Sequence, residues 1–276
     1  MNSTVVKLLA GLGMALCLVT AHGFDLGQEL KKAASGLQKP EQLAGLGGYS
    51  EEEEVAIGRQ IAGSLLGAAP LVKDKLLQKY VNNVGRWVAS QSERPDLAWH
   101  FGVIESDDIN AFAAPGGYIF ITRGLYRLLD DEAELAGVLA HEIGHVVRKH
   151  HLKILQQSKL VDLGGKLLAK QAGGDERVRN LVGGGAEIVA RSLDKSAEFE
   201  ADRIAVVLAA RAGYDAFGLP GVLQEIGHAG SDSSVALLFK THPHPDERLA
   251  GLDDAMGSRF DGVKGLALAG RFYRIK

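Results

Sequence analysis

Apolar positions recur at helical spacing in two stretches early in the chain and then change period. Val55, Ile57, Ile61, Leu65 and Leu66 follow the acidic run Glu51 to Glu54. Ser50 and Glu53 make a capping box there, so the run predicts a helix start rather than a metal site. A second helix is predicted from about 72 to 89, with Leu76, Leu77, Tyr80, Val81, Val84 and Val88 on one side. Residues 97–104 alternate with a period of two, and 109–113 and 118–122 read as two more strands joined through Pro115-Gly116-Gly117. Asp130-Asp131-Glu132 then supplies an acidic, capping start to a helix whose apolar face holds Leu135, Val138, Leu139, Ile143, Val146 and Val147. Further helices are predicted near 151–170, 194–211, 215–228 and 245–256. The fold class is therefore α+β, mostly helical with a small antiparallel sheet preceding the central helix.

The N-terminus follows a different rule. Lys7 precedes the apolar run Leu8 to Val19, and small residues follow it, as in a secretory signal peptide cleaved after Ala21 or Gly23. The predicted division is a signal peptide at 1–21, a linker or loosely packed arm at 22–49, one folded domain at 50–258 and a tail at 259–276. That tail either packs on the core or covers a cleft. The single cysteine, Cys17, falls within the signal. The mature chain then forms no disulfide of its own. The other reading makes Cys17 the acylated first residue of a lipoprotein that associates with a membrane. No later run reaches the ~18 apolar residues of a spanning helix. These features predict an exported protein, in the periplasm or as an outer-membrane lipoprotein. A net charge of −3 gives no reason to expect a nucleic-acid partner. The glycine pairs between 164 and 185 lack the Lys-Ser/Thr ending of a phosphate loop and read as a flexible connection or lid.

Candidate chemistry lies in His141-Glu142-Ile143-Gly144-His145. Residues four apart share a helix face, so His141 and His145 can offer two imidazoles to one Zn²⁺, one ion per chain. Glu142 beside them can take a proton from water at neutral pH. Two histidines and a carboxylate on a largely apolar helix are costly to bury unless a metal satisfies them.

Two candidates can complete the site. His151 lies six residues beyond His145, a spacing that reaches a metal only if the chain turns sharply at a glycine, where this chain has Arg148. The helix is therefore expected to run on and point His151 away, with the basic run 148–151 closing it. Glu198 and Asp202 are four apart on one face of a later helix, with Glu200 turned away. Glu198 is the more natural third ligand. Asp202 can accept a hydrogen bond from the far nitrogen of a ligand histidine.

At these residues the chain resembles the gluzincin metallopeptidases of the HtpX and CaaX-prenyl-protease type, which include mitochondrial Oma-type and soluble bacterial periplasmic members. Asn110-Ala111-Phe112-Ala113-Ala114-Pro115-Gly116-Gly117 and Thr241-His242-Pro243-His244-Pro245-Asp246-Glu247-Arg248 also match. The four segments span residues 50–256 and give the zincin layout. The resemblance implies a zinc metalloendopeptidase domain with His141, His145 and Glu198 as ligands and Glu142 as general base. It also implies that Asn110, Ala111, Phe112 and Ala113 form the edge along which an extended or unfolded protein substrate lies. It points to misfolded or unassembled envelope proteins as substrates. The spanning helices of membrane-embedded relatives have no counterpart here.

His242, on a Pro-bracketed loop, has three readings: an electrophile at the developing oxyanion, a latch on the open zinc position, or a cap for the helix near Asp246. The competing overall readings are a zinc-stabilised chaperone or latent peptidase that binds extended segments without cutting, and a purely structural metal site. An intact Glu142 argues against the first, and the lack of a fourth ligand other than His242 against the second.

Overall fold

The structure is a computed structural model that describes residues 48–156, 194–228, 235, 238 and 242–275. The signal segment with Cys17, the arm, and the glycine-rich stretch lie outside these residues. Ser50 opens α1 (Glu51–Ala68): its hydroxyl accepts from the Glu53 amide at 3.2 Å, and the Glu53 carboxylate accepts from the Ser50 amide at 2.9 Å. The reciprocal pair satisfies two donors that a helix end otherwise orphans. Asp74 accepts from the amides of Leu76 and Leu77, which starts α2 (Lys75–Ala89) slightly later than its apolar pattern.

β1 (His100–Ile104), β2 (Ala111–Ala114) and β3 (Tyr118–Thr122) form a sheet in the order β1-β3-β2. β2 and β3 are antiparallel, joined by a turn in which Gly116 and Gly117 take φ of +74° and +91°. β1 and β3 are parallel, so the sheet is mixed and the expectation of an antiparallel one is corrected. Alternation along a strand is the same in either direction, and so the apolar pattern could not distinguish them. β2 is an outer strand whose sole ladder partner among the described residues is β3.

The sequence reading missed α3 (Arg123–Leu128), six residues capped by the Thr122 hydroxyl, because so short a helix shows too little periodicity. α4 (Glu132–Val147) carries the His-Glu motif and is buried along nearly its whole length. Against it pack α5 (Lys195–Arg211) and α6 (Gly218–His228), and α7 (Pro245–Met256) packs in turn against α5 and α6. Two glycines of α4 set the distances. A Cβ on Gly144 would stand 3.2 Å from Ala201 Cα on α5, and one on Gly137 would stand 2.6 Å from the Leu219 amide on α6. Both neighbours therefore approach at backbone contact.

The tail packs on the core. Phe272 is buried and stacks on Tyr126 with ring centroids 5.1 Å apart, and the Tyr273 hydroxyl donates to Asp74. Arg271 reaches Glu132, the first residue of α4, whose fully buried carboxylate also accepts from the Tyr80 and Tyr214 hydroxyls at 2.7 Å each. Burial pushes the Glu132 carboxyl up, but Arg271 and the two phenols outweigh it and the net displacement is downward. A depressed carboxyl contributes stability that is present above the ordinary carboxylate range, near pH 4.3, and lost as pH falls through the folded value. Because the Arg271 side chain is largely exposed and Glu132 keeps its two phenol donors, Arg271→Ala should cost about 1 kcal/mol at pH 7 in urea unfolding. That deficit should shrink below about pH 4; a constant deficit across pH would place the effect elsewhere.

Candidate metal centre

Successive faces of α4 and α5 build the site. His141 and His145 stand one turn apart with their Nε2 atoms at 3.0 Å. From α5, Glu198 places Oε2 3.6 Å from His141 Nε2 and Oε1 3.5 Å from His145 Nε2. His242, on the stretch before α7, brings its Nε2 within 3.8 Å of Glu198 Oε2. All four side chains are buried, and their donor atoms lie within 4.8 Å of one another. A tetrahedral ion with bonds of 2.0–2.1 Å would separate its ligands by about 3.3–3.4 Å, close to these spacings. Neither buried oxygen of Glu198 has a hydrogen-bond partner. A carboxylate removed from water and left without donors costs several kcal/mol unless a cation meets it, so this donor set fits a metal ion.

Around these residues the charges are ordered. Asp202, one turn beyond Glu198, accepts from Arg248 Nε at 3.0 Å and Nη2 at 2.6 Å, and its Oδ1 lies 2.9 Å from His141 Nδ1. Burial pushes the Asp202 carboxyl up, yet Arg248 and His141 hold it well below the usual carboxylate range. Burial and Arg248 push His141 down while Asp202 and Glu198 raise it, and the balance lies at about 9. The pocket thus draws positive charge toward its carboxylates. Glu142 is buried beside His141, and burial pushes its carboxyl up to about 7. Arg248 lies inside the segment singled out in the sequence but had no role there. The signal was the chemistry of Asp202, a buried carboxylate that one imidazole proton does not satisfy.

Beyond α4 the structure corrects the sequence reading. The helix stops at Val147 without a glycine: Arg148 is the C-cap and Lys149 takes a left-handed φ of +56°. That conformation costs a non-glycine residue roughly 1–2 kcal/mol. It is held by the Lys149 amide donating to Val146 O and by an ion pair at 3.1 Å to the buried Glu54. A second helical segment starts at 150, so the predicted helix near 151–170 is described only to 156. His151 is not pointed away: its ring lies 5.8 Å from that of His145, although it is outside the four-residue cluster. His150, which the sequence reading left in a basic run, places Nδ1 2.9 Å from His145 Nδ1. The helix-capping role considered for His242 belongs to His244, whose Nδ1 accepts from the Asp246 amide.

Of the four strand residues singled out, Ala111 alone lines the site. Asn110 is fully buried; its Oδ1 accepts from the Ala111 amide at 3.0 Å and its own amide donates to Thr122 Oγ1. Phe112 packs with Ile104 and Phe120, and Ala113 packs against the main core. Ala111 opens onto a narrow cavity of about 30 Å³ walled by Val138, Leu219, Val222, Leu223 and Ile226, with His141, Glu142, His242 and Arg248 at its polar end. Such a space has room for a methyl-sized group next to the carboxylate of Glu142.

The family profile described as peptidase family M48 matches residues 75–256. The chain is 34% identical over 209 residues to a beta-barrel assembly-enhancing protease of Escherichia coli K12, covering 72% of this chain and 42% of that protein. The protein of the same name from Yersinia pestis is 33% identical over 210 residues, 73% of this chain and 43% of its own length. The mitochondrial metalloendopeptidase OMA1 of Arabidopsis thaliana is 28% identical over 178 residues, 64% of this chain and 36% of that protein. The chain thus spans less than half the length of these relatives.

Proposed function

The chain belongs to peptidase family M48, and from that premise we propose that it is a zinc-dependent metalloendopeptidase. Its substrates under this reading are misfolded or unassembled proteins of the cell envelope. The observation that carries the reading is the orphaned Glu198 carboxylate facing His141 and His145, with Glu142 buried alongside. His141, His145 and Glu198 would hold the ion, which when bound polarises a carbonyl and acidifies water. Glu142 takes the proton of the attacking water and delivers it to the leaving amine. A carboxyl raised toward neutrality by burial suits both transfers. Asp202, itself anchored by Arg248, accepts from His141 Nδ1 and orients that ring. The substrate extends β2 as an added strand, with one small side chain facing the narrow apolar cavity past Ala111. The name of the bacterial relatives, which concerns β-barrel assembly, favours envelope substrates and an exported location, the periplasm. No described helix is long and apolar enough to cross a membrane.

The test is hydrolysis of an unfolded protein by the zinc-loaded chain, stopped by a chelator and restored by zinc, with the cut sites mapped. Burying one methyl group contributes about 0.8 kcal/mol, so peptides with alanine flanking the cut should exceed glycine analogues roughly fourfold in kcat/KM. Cleavage indifferent to that residue would remove the cavity from the substrate path.

His242 distinguishes an active from a latent enzyme. Its Nε2 faces Glu198 and its ring centroid lies 5.5 Å from that of His141, within reach of the same ion. As a latch it would be displaced by substrate; as an electrophile it would meet the oxyanion. His242→Ala raises peptidase activity in the first case and lowers kcat about 10²-fold or more, with zinc retained, in the second. The position of the ring among the ligand atoms favours the latch.

A further inference from the structure

The two motif histidines have different neighbours behind them. His141 meets the Asp202 carboxylate directly, at 2.9 Å. His145 meets another imidazole, His150, with Nδ1 to Nδ1 at 2.9 Å and ring planes 69° apart. The other nitrogen of His150, Nε2, lies 3.3 Å from Glu200 Oε2. Both rings are almost wholly buried, at 1% and 3% exposure, so no solvent proton settles the arrangement. The reversed bend at Lys149 returns the chain so that His150 faces His145.

Two neutral ring nitrogens in hydrogen-bond contact share one proton, and one must donate to the other. The reading of His145 as a ligand through Nε2, on which this inference rests, leaves its proton on Nδ1. His145 therefore donates, and His150 Nδ1 accepts. The proton of His150 then stands on Nε2, where Glu200 accepts it. The assignment runs in one direction and each donor finds an acceptor. Glu200 is held in turn by Arg148, whose Nε lies 3.0 Å from Oε1 and whose Nη1 bonds Glu93 at 2.8 Å. Glu198 and Glu200, two residues apart, leave α5 in different directions. One faces the four-residue cluster and the other reaches it only through His150.

We propose that His150 and Glu200 are positioning residues of the zinc site, with His150 accepting the Nδ1 proton of His145 and Glu200 fixing the tautomer in which it can do so. The two motif histidines are then oriented by unlike devices, a carboxylate at His141 and an imidazole relaying a carboxylate at His145.

Zinc dissociation constants of the full chain, measured by competition with a chromophoric chelator, test this directly. His150→Phe keeps a ring and removes the acceptor, and zinc binding should weaken roughly 10–100-fold. His150→Asn restores an acceptor near the Nδ1 position and should stay within about threefold of the wild type. Glu200→Ala should fall between them. In the Co²⁺ form, the visible d–d absorption should shift in His150→Phe and not in His150→Asn. Wild-type affinity in His150→Phe, or equal losses in the Phe and Asn variants, would overturn the proposal. If His150→Phe does not fold, Glu200→Ala decides: wild-type affinity there has the same consequence. His145→Ala separates the two levels of argument. Should it keep zinc as tightly as the wild type, the metal centre itself is wrong, whatever His150 does.

Discussion

Glu142→Gln is expected to lose roughly 10²–10⁴-fold in kcat on an unfolded protein while binding as much zinc as the wild type. The substitution keeps the shape of the side chain and removes its capacity to carry a proton between water and the leaving amine. The carboxyl is already pushed up to about 7 by burial, so a neutral amide in its place should not lower the melting temperature. KM should change little, because Glu142 acts on the reacting atoms rather than on the strand that binds beside them. Activity kept within tenfold at equal zinc content would remove Glu142 as the base and the peptidase mechanism with it. No hydrolysis by either protein at full zinc occupancy would favour the latched form, and His242→Ala then becomes the informative variant.

The second large effect concerns stability. Arg248 is buried at 4% exposure and provides two donors to Asp202. Removing one partner of a buried pair leaves the other as an uncompensated charge, at a cost of about 3–5 kcal/mol. For a domain of this size that corresponds to a loss of roughly 6–20 °C in Tm for Arg248→Leu. Adding Asp202→Asn should recover a good part of the loss, since neither charge then remains. Zinc affinity should stay impaired, because His141 would have lost its carboxylate. Calorimetry on the four proteins of the cycle measures the coupling; additive losses would mean that the pair is not the source of the stability.

The parts of the fold that were legible in the sequence are those with long, capped, periodic helices. The reciprocal cap of Ser50 and Glu53, the acidic start of α4 and the apolar faces of α2 and α4 each state a local geometry in their own residues. The candidate site was legible for the same reason. His141 and His145, like Glu198 and Asp202, are spaced by one helical turn, and the structure brings His141, His145 and Glu198 together with His242, with Asp202 against His141 and Glu142 at the adjoining cavity. What was not legible depends on neighbours distant in sequence. Strand direction in the sheet follows from β3 inserting between β1 and β2, which no alternation encodes. The stop of α4 at Val147 requires a left-handed lysine braced by Glu54, ninety-odd positions upstream. The sequence argument denied it because it admitted only glycine there. Arg248 and His150 escaped notice because their role is to satisfy other buried groups, and that demand becomes visible only once Asp202 and His145 are seen to be buried.

An outer strand such as β2 usually exposes a protein to unwanted company, since its unpaired amides and carbonyls recruit any extended chain that passes. Here the recruiting strand begins at Ala111, against the same cavity as Glu142. Under the proposed activity, whatever adheres to that border is delivered to the base and cut, so stickiness and clearance become one property. The molecule then needs no separate guard on this border, and a variant silenced at Glu142 should accumulate the very strands that the active protein sheds.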